Sequence, residues 1–144
     1  MEQLKFYDNE HEKFYKEHTH EKKLDCYNKS LIYLLGITEE TRNHFSKLYN
    51  ETVKEIILTG TTEGWQTGVS LAVTRLAFNL FNGYCGLEDT EARNYTVESI
   101  FAYKEFAPYF YEAIKIRFEI KEQKSREQQE IENFIQAEEQ KLQK

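Results

Sequence analysis

Gly64-Trp-Gln-Thr-Gly-Val-Ser-Leu-Ala-Val-Thr-Arg-Leu-Ala-Phe-Asn-Leu-Phe-Asn-Gly83 is the stretch that decides the fold. Between Val69 and Phe81, the residues Val69, Leu71, Ala72, Val73, Leu76, Ala77, Phe78, Leu80 and Phe81 point in most directions around a helical axis. That is the pattern of a helix enclosed by other helices. Thr67 can cap it by accepting from one of the first free amides, and Gly83 suits the left-handed residue that ends a helix. Arg75, Asn79 and Asn82 fall within roughly 60° of one another at about 100° per residue, making one polar strip on an apolar cylinder. Such a strip needs partners from the elements around it.

Upstream, Asp8-Asn-Glu-His-Glu12 opens a helix that Asp8 can cap, with acids in the first turn and Phe14 and Tyr15 on the core side. The spacing of Leu24, Tyr27, Leu31, Tyr33, Leu34 and Leu35 predicts a second helix that stops at Gly36 and is buried mainly in its later half. Thr38 caps a third, which turns His44, Phe45, Leu48 and Tyr49 inward. Residues 51–60 fit a helical turn through Val53, Ile56 and Ile57, and an extended piece through their β-branched content; a short helix is the expectation.

Downstream, Tyr84 to Tyr95 reads as a mobile surface loop, and Thr96 restarts a helical turn through Tyr103. Pro108 suits the first turn of another helix, lined by Tyr109, Phe110, Ala113, Ile114, Arg117 and Phe118. From Glu119 to Lys144 there is no Gly or Pro but much Glu, Gln and Lys, so that helix is expected to run on. Ile120, Ile131, Phe134, Ile135 and Leu142 lie within roughly a 100° arc, interrupted because residues 121–130 add none, and the last four call for contact with the body or with another chain. The expectation is an all-α, compact helical bundle around a buried central helix. Residues 1–118 form its helical domain and residues 119–144 a C-terminal helical extension.

A chain of 144 residues can bury one sizeable core. With 40% hydrophobic and 31% charged residues and a mean hydropathy of -0.75, that core lies under a heavily charged surface. Ten Tyr and ten Phe mean that rings supply much of the core volume, with hydroxyls left for rims and contact surfaces. A net charge of -6 argues against direct binding of nucleic-acid backbones, which requires clustered Lys and Arg. No window has the apolar length of a membrane helix, and Met1-Glu-Gln-Leu-Lys5 lacks a signal-peptide layout, so the expected location is the cytoplasm. Cys26 and Cys85 stand far apart without a Cys-x-x-Cys repeat, which predicts reduced, packed thiols.

No catalytic residue, cofactor or metal ligand is assigned. His18 and His20, with His11 and Glu10 or Glu21 nearby, are spaced so that they point apart on a helix, and they read as a solvated charged turn. Gly64 to Gly68 lacks both the Gly-Lys-Ser/Thr ending and the preceding strand of a phosphate loop; it reads as a tight turn anchored by Trp65. Arg75 and Asn79 admit two readings. With Trp65 they could line a ligand cleft, or Arg75 could be paired internally with a carboxylate such as Glu112 and with helix ends. The candidate binding residues are therefore Trp65, Arg75 and Asn79 on the body, and Ile131, Phe134, Ile135 and Leu142 on the extension.

Four ordered segments carry a resemblance. They are Cys26-Tyr-Asn-Lys-Ser-Leu-Ile-Tyr-Leu-Leu-Gly-Ile37, Thr41-Arg-Asn-His-Phe45, Gly64-Trp-Gln-Thr-Gly68 with Thr74-Arg-Leu-Ala-Phe-Asn-Leu80, and Ala107-Pro-Tyr-Phe-Tyr-Glu-Ala-Ile-Lys-Ile-Arg-Phe118. Over residues 6–118 the chain resembles an uncharacterised family of small proteins carried by phages and mobile elements of Firmicutes. The extension from Glu119 to Lys144 departs from that family's usual ending, and the family brings no catalytic residue with it. By analogy with other small acidic phage-borne proteins that lack catalytic motifs, the expectation is a non-catalytic binding protein that inhibits a host protein, such as a nucleic-acid-binding defence nuclease, in the manner of an anti-CRISPR protein. Two alternatives stay open: a small-ligand binder or enzyme with a cleft at the central helix, and a homo-oligomeric scaffold assembling through the C-terminal helix.

Overall fold

Short polar side chains set the helix starts. In the computed structural model, which describes residues 3–121 and 124–143, Asp8 accepts from the His11 amide at 2.8 Å and opens α1 (Asn9–Thr19). Asp25 does the same for α2 (Cys26–Leu35) and Thr38 for α3 (Glu39–Asn43). His44 interrupts the helical path before α4 (Phe45–Leu48), and a minimal antiparallel hairpin follows, β1 (Tyr49–Asn50) with β2 (Glu55–Ile56). A 3-10 turn, Leu58–Thr62, leads to α5 (Gly68–Asn82), the expected central helix. Then come α6 (Asp89–Ala92), a 3-10 turn at Arg93–Tyr95, α7 (Val97–Phe101), α8 (Ala107–Phe118) and α9 (Arg126–Leu142).

The structure is the compact helical fold expected, with a long C-terminal helix and a minimal sheet. At the start of α5, Thr67 and Ser70 form a reciprocal capping box, and Gly83 ends the helix at φ 82. Ala72, Val73, Thr74, Leu76, Ala77, Phe78 and Leu80 are buried along it. It shares the centre with α2, which is buried from Ser30 to Leu35 and packs against both α5 and α8. Rings fill the space between elements: Phe14 meets Phe45 edge to face at 5.0 Å, and Phe101 meets Phe110 at 5.7 Å.

Residues 51–60 depart from the short helix expected there. The Asn50 side chain accepts from the Thr52 and Val53 amides at 3.0 and 3.3 Å, and Lys54 turns left-handed at φ 57 to donate to the Asn50 carbonyl. That turn chemistry outweighs the helical spacing of Val53, Ile56 and Ile57, and it leaves Val53 exposed. The Tyr84–Tyr95 link, expected as a loop, carries α6 and the Arg93–Tyr95 turn.

The helix expected to run on past Phe118 stops there. Glu119 takes φ 54, its amide donates to the Ile116 carbonyl at 3.4 Å, and the Ile120 amide donates to the Lys115 carbonyl at 3.0 Å. This is a Schellman ending with glutamate where glycine is usual. Ser125 and Gln128 then form a second capping box that starts α9. Among the described residues, no helix is long and apolar enough to cross a membrane.

Candidate functional site

The polar strip of α5 finds its partners in the chain that follows. Asn79 Nδ2 donates to the Tyr84 carbonyl at 3.1 Å, and Asn82 Oδ1 accepts from the Tyr84 amide at 3.0 Å. The Arg75 guanidinium stands 6.0 Å from the centre of the Tyr95 ring, whose hydroxyl burial pushes up to about 12, so the ring meets the cation as a neutral phenol. Trp65 sits before the helix and lies flat on His44, with ring centres 4.1 Å apart and planes 3° from parallel. Its Nε1 is buried without a hydrogen-bond partner among the described residues. Trp65 thus meets His44, while Arg75 and Asn79, one turn apart on α5, meet Tyr95 and Tyr84, whose rings touch edge to face at 5.8 Å.

Glu112 is not the partner of Arg75. It is buried on α8 and pairs at 3.2 Å with Lys115, one turn further along the same helix. The guanidinium that takes a carbonyl of α5 is that of Arg117: its Nε donates to the Leu80 oxygen at 2.6 Å while the group lies 3.6 Å from the Tyr27 ring centre. Arg42 plays the same part beyond α2, donating to the Gly36 oxygen at 2.8 Å. The need for internal partners was legible in the sequence; which arginine meets it was not.

The apolar stripe of α9 lies open. No residue of this helix is buried, and Ile131, Phe134, Ile135 and Leu142 are 54, 66, 50 and 86% exposed. Five carboxylates, on Glu127, Glu130, Glu132, Glu138 and Glu139, stand on the helix against Arg126 and Lys141. Tyr111, Phe118 and Ile120 are also exposed at or just beyond α8, as is Tyr27 on α2.

The histidines separate. His11 is fully buried, while His20 is exposed beside Glu21 at 3.5 Å. His18 is wedged against Phe14 and Phe45 at ring distances of 4.3 and 4.7 Å, and its Nδ1 meets Glu51 Oε2 at 3.0 Å. Lys22 donates to the same oxygen at 3.2 Å. Burial alone would raise the Glu51 pKa, but the hydrogen bonds from His18 and Lys22 outweigh it and hold the carboxyl below its usual range. Reading His18 as part of a solvated turn missed this pairing, because Glu51 lies in the hairpin turn far along the chain and no local spacing signals it. Among the described residues, no group of three or more His, Cys, Asp or Glu is placed to hold a metal. Both cysteines are free; Cys26 is half-buried and Cys85 is exposed, so the expectation of packed thiols fails at Cys85, which lies in the link beyond α5.

No curated protein and no solved structure matches the chain. A family of unknown function (DUF6075) matches residues 1–130, beyond the 6–118 span of the resemblance and into the first turns of α9. The chain therefore belongs to this family of unknown function.

Proposed function

We propose that this protein is a non-catalytic binding protein that inhibits a partner protein, with the Ile131, Phe134, Ile135 and Leu142 stripe of α9 as its contact face. The open stripe carries this reading: an amphipathic helix with four large apolar side chains in solvent is suited to lie in an apolar groove. The carboxylates beside it select a groove with a basic rim, the chemistry of nucleic-acid-handling proteins. A second copy is disfavoured, since pairing two such helices would bring acidic flanks together. The resemblance suggests a phage or mobile-element origin, and analogy with small acidic phage-borne proteins suggests a host defence nuclease of the CRISPR type as the target in the host cytoplasm; both complete the proposal.

The test is capture from host lysate with the wild-type protein and a Phe134→Asp/Ile135→Asp variant side by side. The expected outcome is a stoichiometric basic protein on the wild type alone, whose own activity falls when the wild type is added. Equal recovery on both proteins, or none on either, would overturn the proposal.

A further inference from the structure

The end of α1, the α1–α2 link and the hairpin enclose a cleft of about 310 Å³. Its floor is apolar: Leu24, the buried Ile32, and the buried ring of Tyr49, whose hydroxyl is engaged by the Asn28 side chain. Its rim carries Lys22, Lys23 and Lys54 with Glu51 and His18. Three lysines and one carboxylate line the cleft, and this in a chain whose net charge is -6. Glu51 Oε2 already receives both His18 and Lys22. Lys23 and Lys54 are exposed and make no ion pair among the described residues. Asp25, whose Oδ1 caps α2 by receiving the Asn28 amide at 2.9 Å and Nδ2 at 2.8 Å, is close enough for Lys54 to act on it and offsets part of the positive charge. Lys54 is also held left-handed at φ 57, where Gly or Asn would fit without strain.

We propose that this cleft binds a small organic phosphomonoester. Lys23 and Lys54 take the phosphate oxygens, Glu51 holds Lys22 and His18 in place on the rim, and the organic part rests on Leu24, Ile32 and Tyr49. Three lysines on the rim outnumber the carboxylates of Glu51 and the neighbouring Asp25, so positive charge is left over for an anionic group such as a phosphate. The volume lies at the small end of ligand sites and suits a single ring carrying one phosphate.

The test is a titration of the isotope-labelled full chain with phenyl phosphate, inorganic phosphate and phenol, followed by amide NMR shifts. Saturable shifts confined to residues 22–24 and 51–54 are expected, with phenyl phosphate binding tightest and phenol weakest. A Lys23→Ala/Lys54→Ala variant should lose about tenfold in affinity or more, since two charges near the anion are removed. Glu51→Gln keeps an acceptor for His18 and Lys22 but removes a like charge, and should bind roughly fivefold tighter. Both lysines are exposed, so the double variant keeps the fold, which far-UV circular dichroism verifies. Absence of saturation by about 10 mM phenyl phosphate, or affinities that neither variant changes, would overturn the proposal.

Discussion

His11 ties α1 to α2: its Nε2 donates to the Tyr33 carbonyl oxygen across 2.6 Å. The other ring nitrogen, Nδ1, accepts from the Tyr7 amide at 3.0 Å, so the ring is neutral and its single proton sits on Nε2. A second proton would have to displace the Tyr7 amide inside a fully buried pocket. Burial therefore lowers the His11 pKa from its ordinary 6.5 to about 4, against the opposing pull of the Tyr33 carbonyl and Asp8.

The first prediction concerns pH. As pH falls below 6.5 the unfolded chain takes up this proton before the folded one does, so the contribution of His11 is complete above pH 6.5 and lost progressively down to about pH 4. The whole difference amounts to about 3 kcal/mol, at 1.36 kcal/mol per pKa unit. Urea unfolding of the wild type and His11→Gln between pH 7 and pH 4 isolates it, because carboxylates titrating in that window are common to both. The variant should be less stable at pH 7 and show the shallower decline; parallel declines would refute the assignment.

A second prediction rests on a close approach. Gly60 lies buried in the 3-10 turn against α4, and a methyl group there would stand 2.5 Å from Leu48 Cδ2 and 2.8 Å from the Lys47 carbonyl oxygen. The side chain can yield, but the carbonyl belongs to helix backbone. Gly60→Ala should lower stability by about 1–3 kcal/mol. Gly64→Ala, in the turn before α5, meets no atom within 4 Å and should stay within about 0.5 kcal/mol, so thermal unfolding of the pair separates the close contact from the general effect of replacing a glycine.

A third prediction distinguishes the broken C-terminal helix from a continuous one. Glu119 is exposed and left-handed at φ 54, a conformation that disfavours any side chain. Glu119→Gly should raise stability by about 0.5–1 kcal/mol here, whereas in an unbroken helix the same change would lower it by about as much. Urea unfolding at pH 7 reads the sign.

These sites also show how far a sequence can be read. The central helix is legible because its apolar periodicity, the Thr67 cap and the Gly83 stop all agree. The hairpin is not, because Val53, Ile56 and Ile57 fit both a helical and an extended period, and the tie-breaker is one Asn50 side chain folding back on its own turn. The stop at Glu119 carries no glycine to announce it. At the candidate sites, the α9 stripe can be read from spacing alone. The choice of Arg117 over Arg75 for the Leu80 carbonyl, and the meeting of His18 with Glu51, depend on contacts between elements distant in the chain.

The last prediction separates α9 from the rest of the fold. Phe134 and Ile135 bury little of themselves against the body, so replacing both with Asp removes few native contacts, and the unfolding free energy of the body should change by no more than about 0.5 kcal/mol. Phe78 is fully buried in α5, and Phe78→Ala should cost about 3–5 kcal/mol through lost burial and the cavity left behind. A chain ending at Lys121 should likewise keep the midpoint of the full chain when near-ultraviolet circular dichroism follows the core aromatics. If the Asp pair instead lowered stability as a core substitution does, the stripe would be packing on its own body in solution. The surface offered to a partner would then have to be sought at Tyr27, Tyr111 and Phe118.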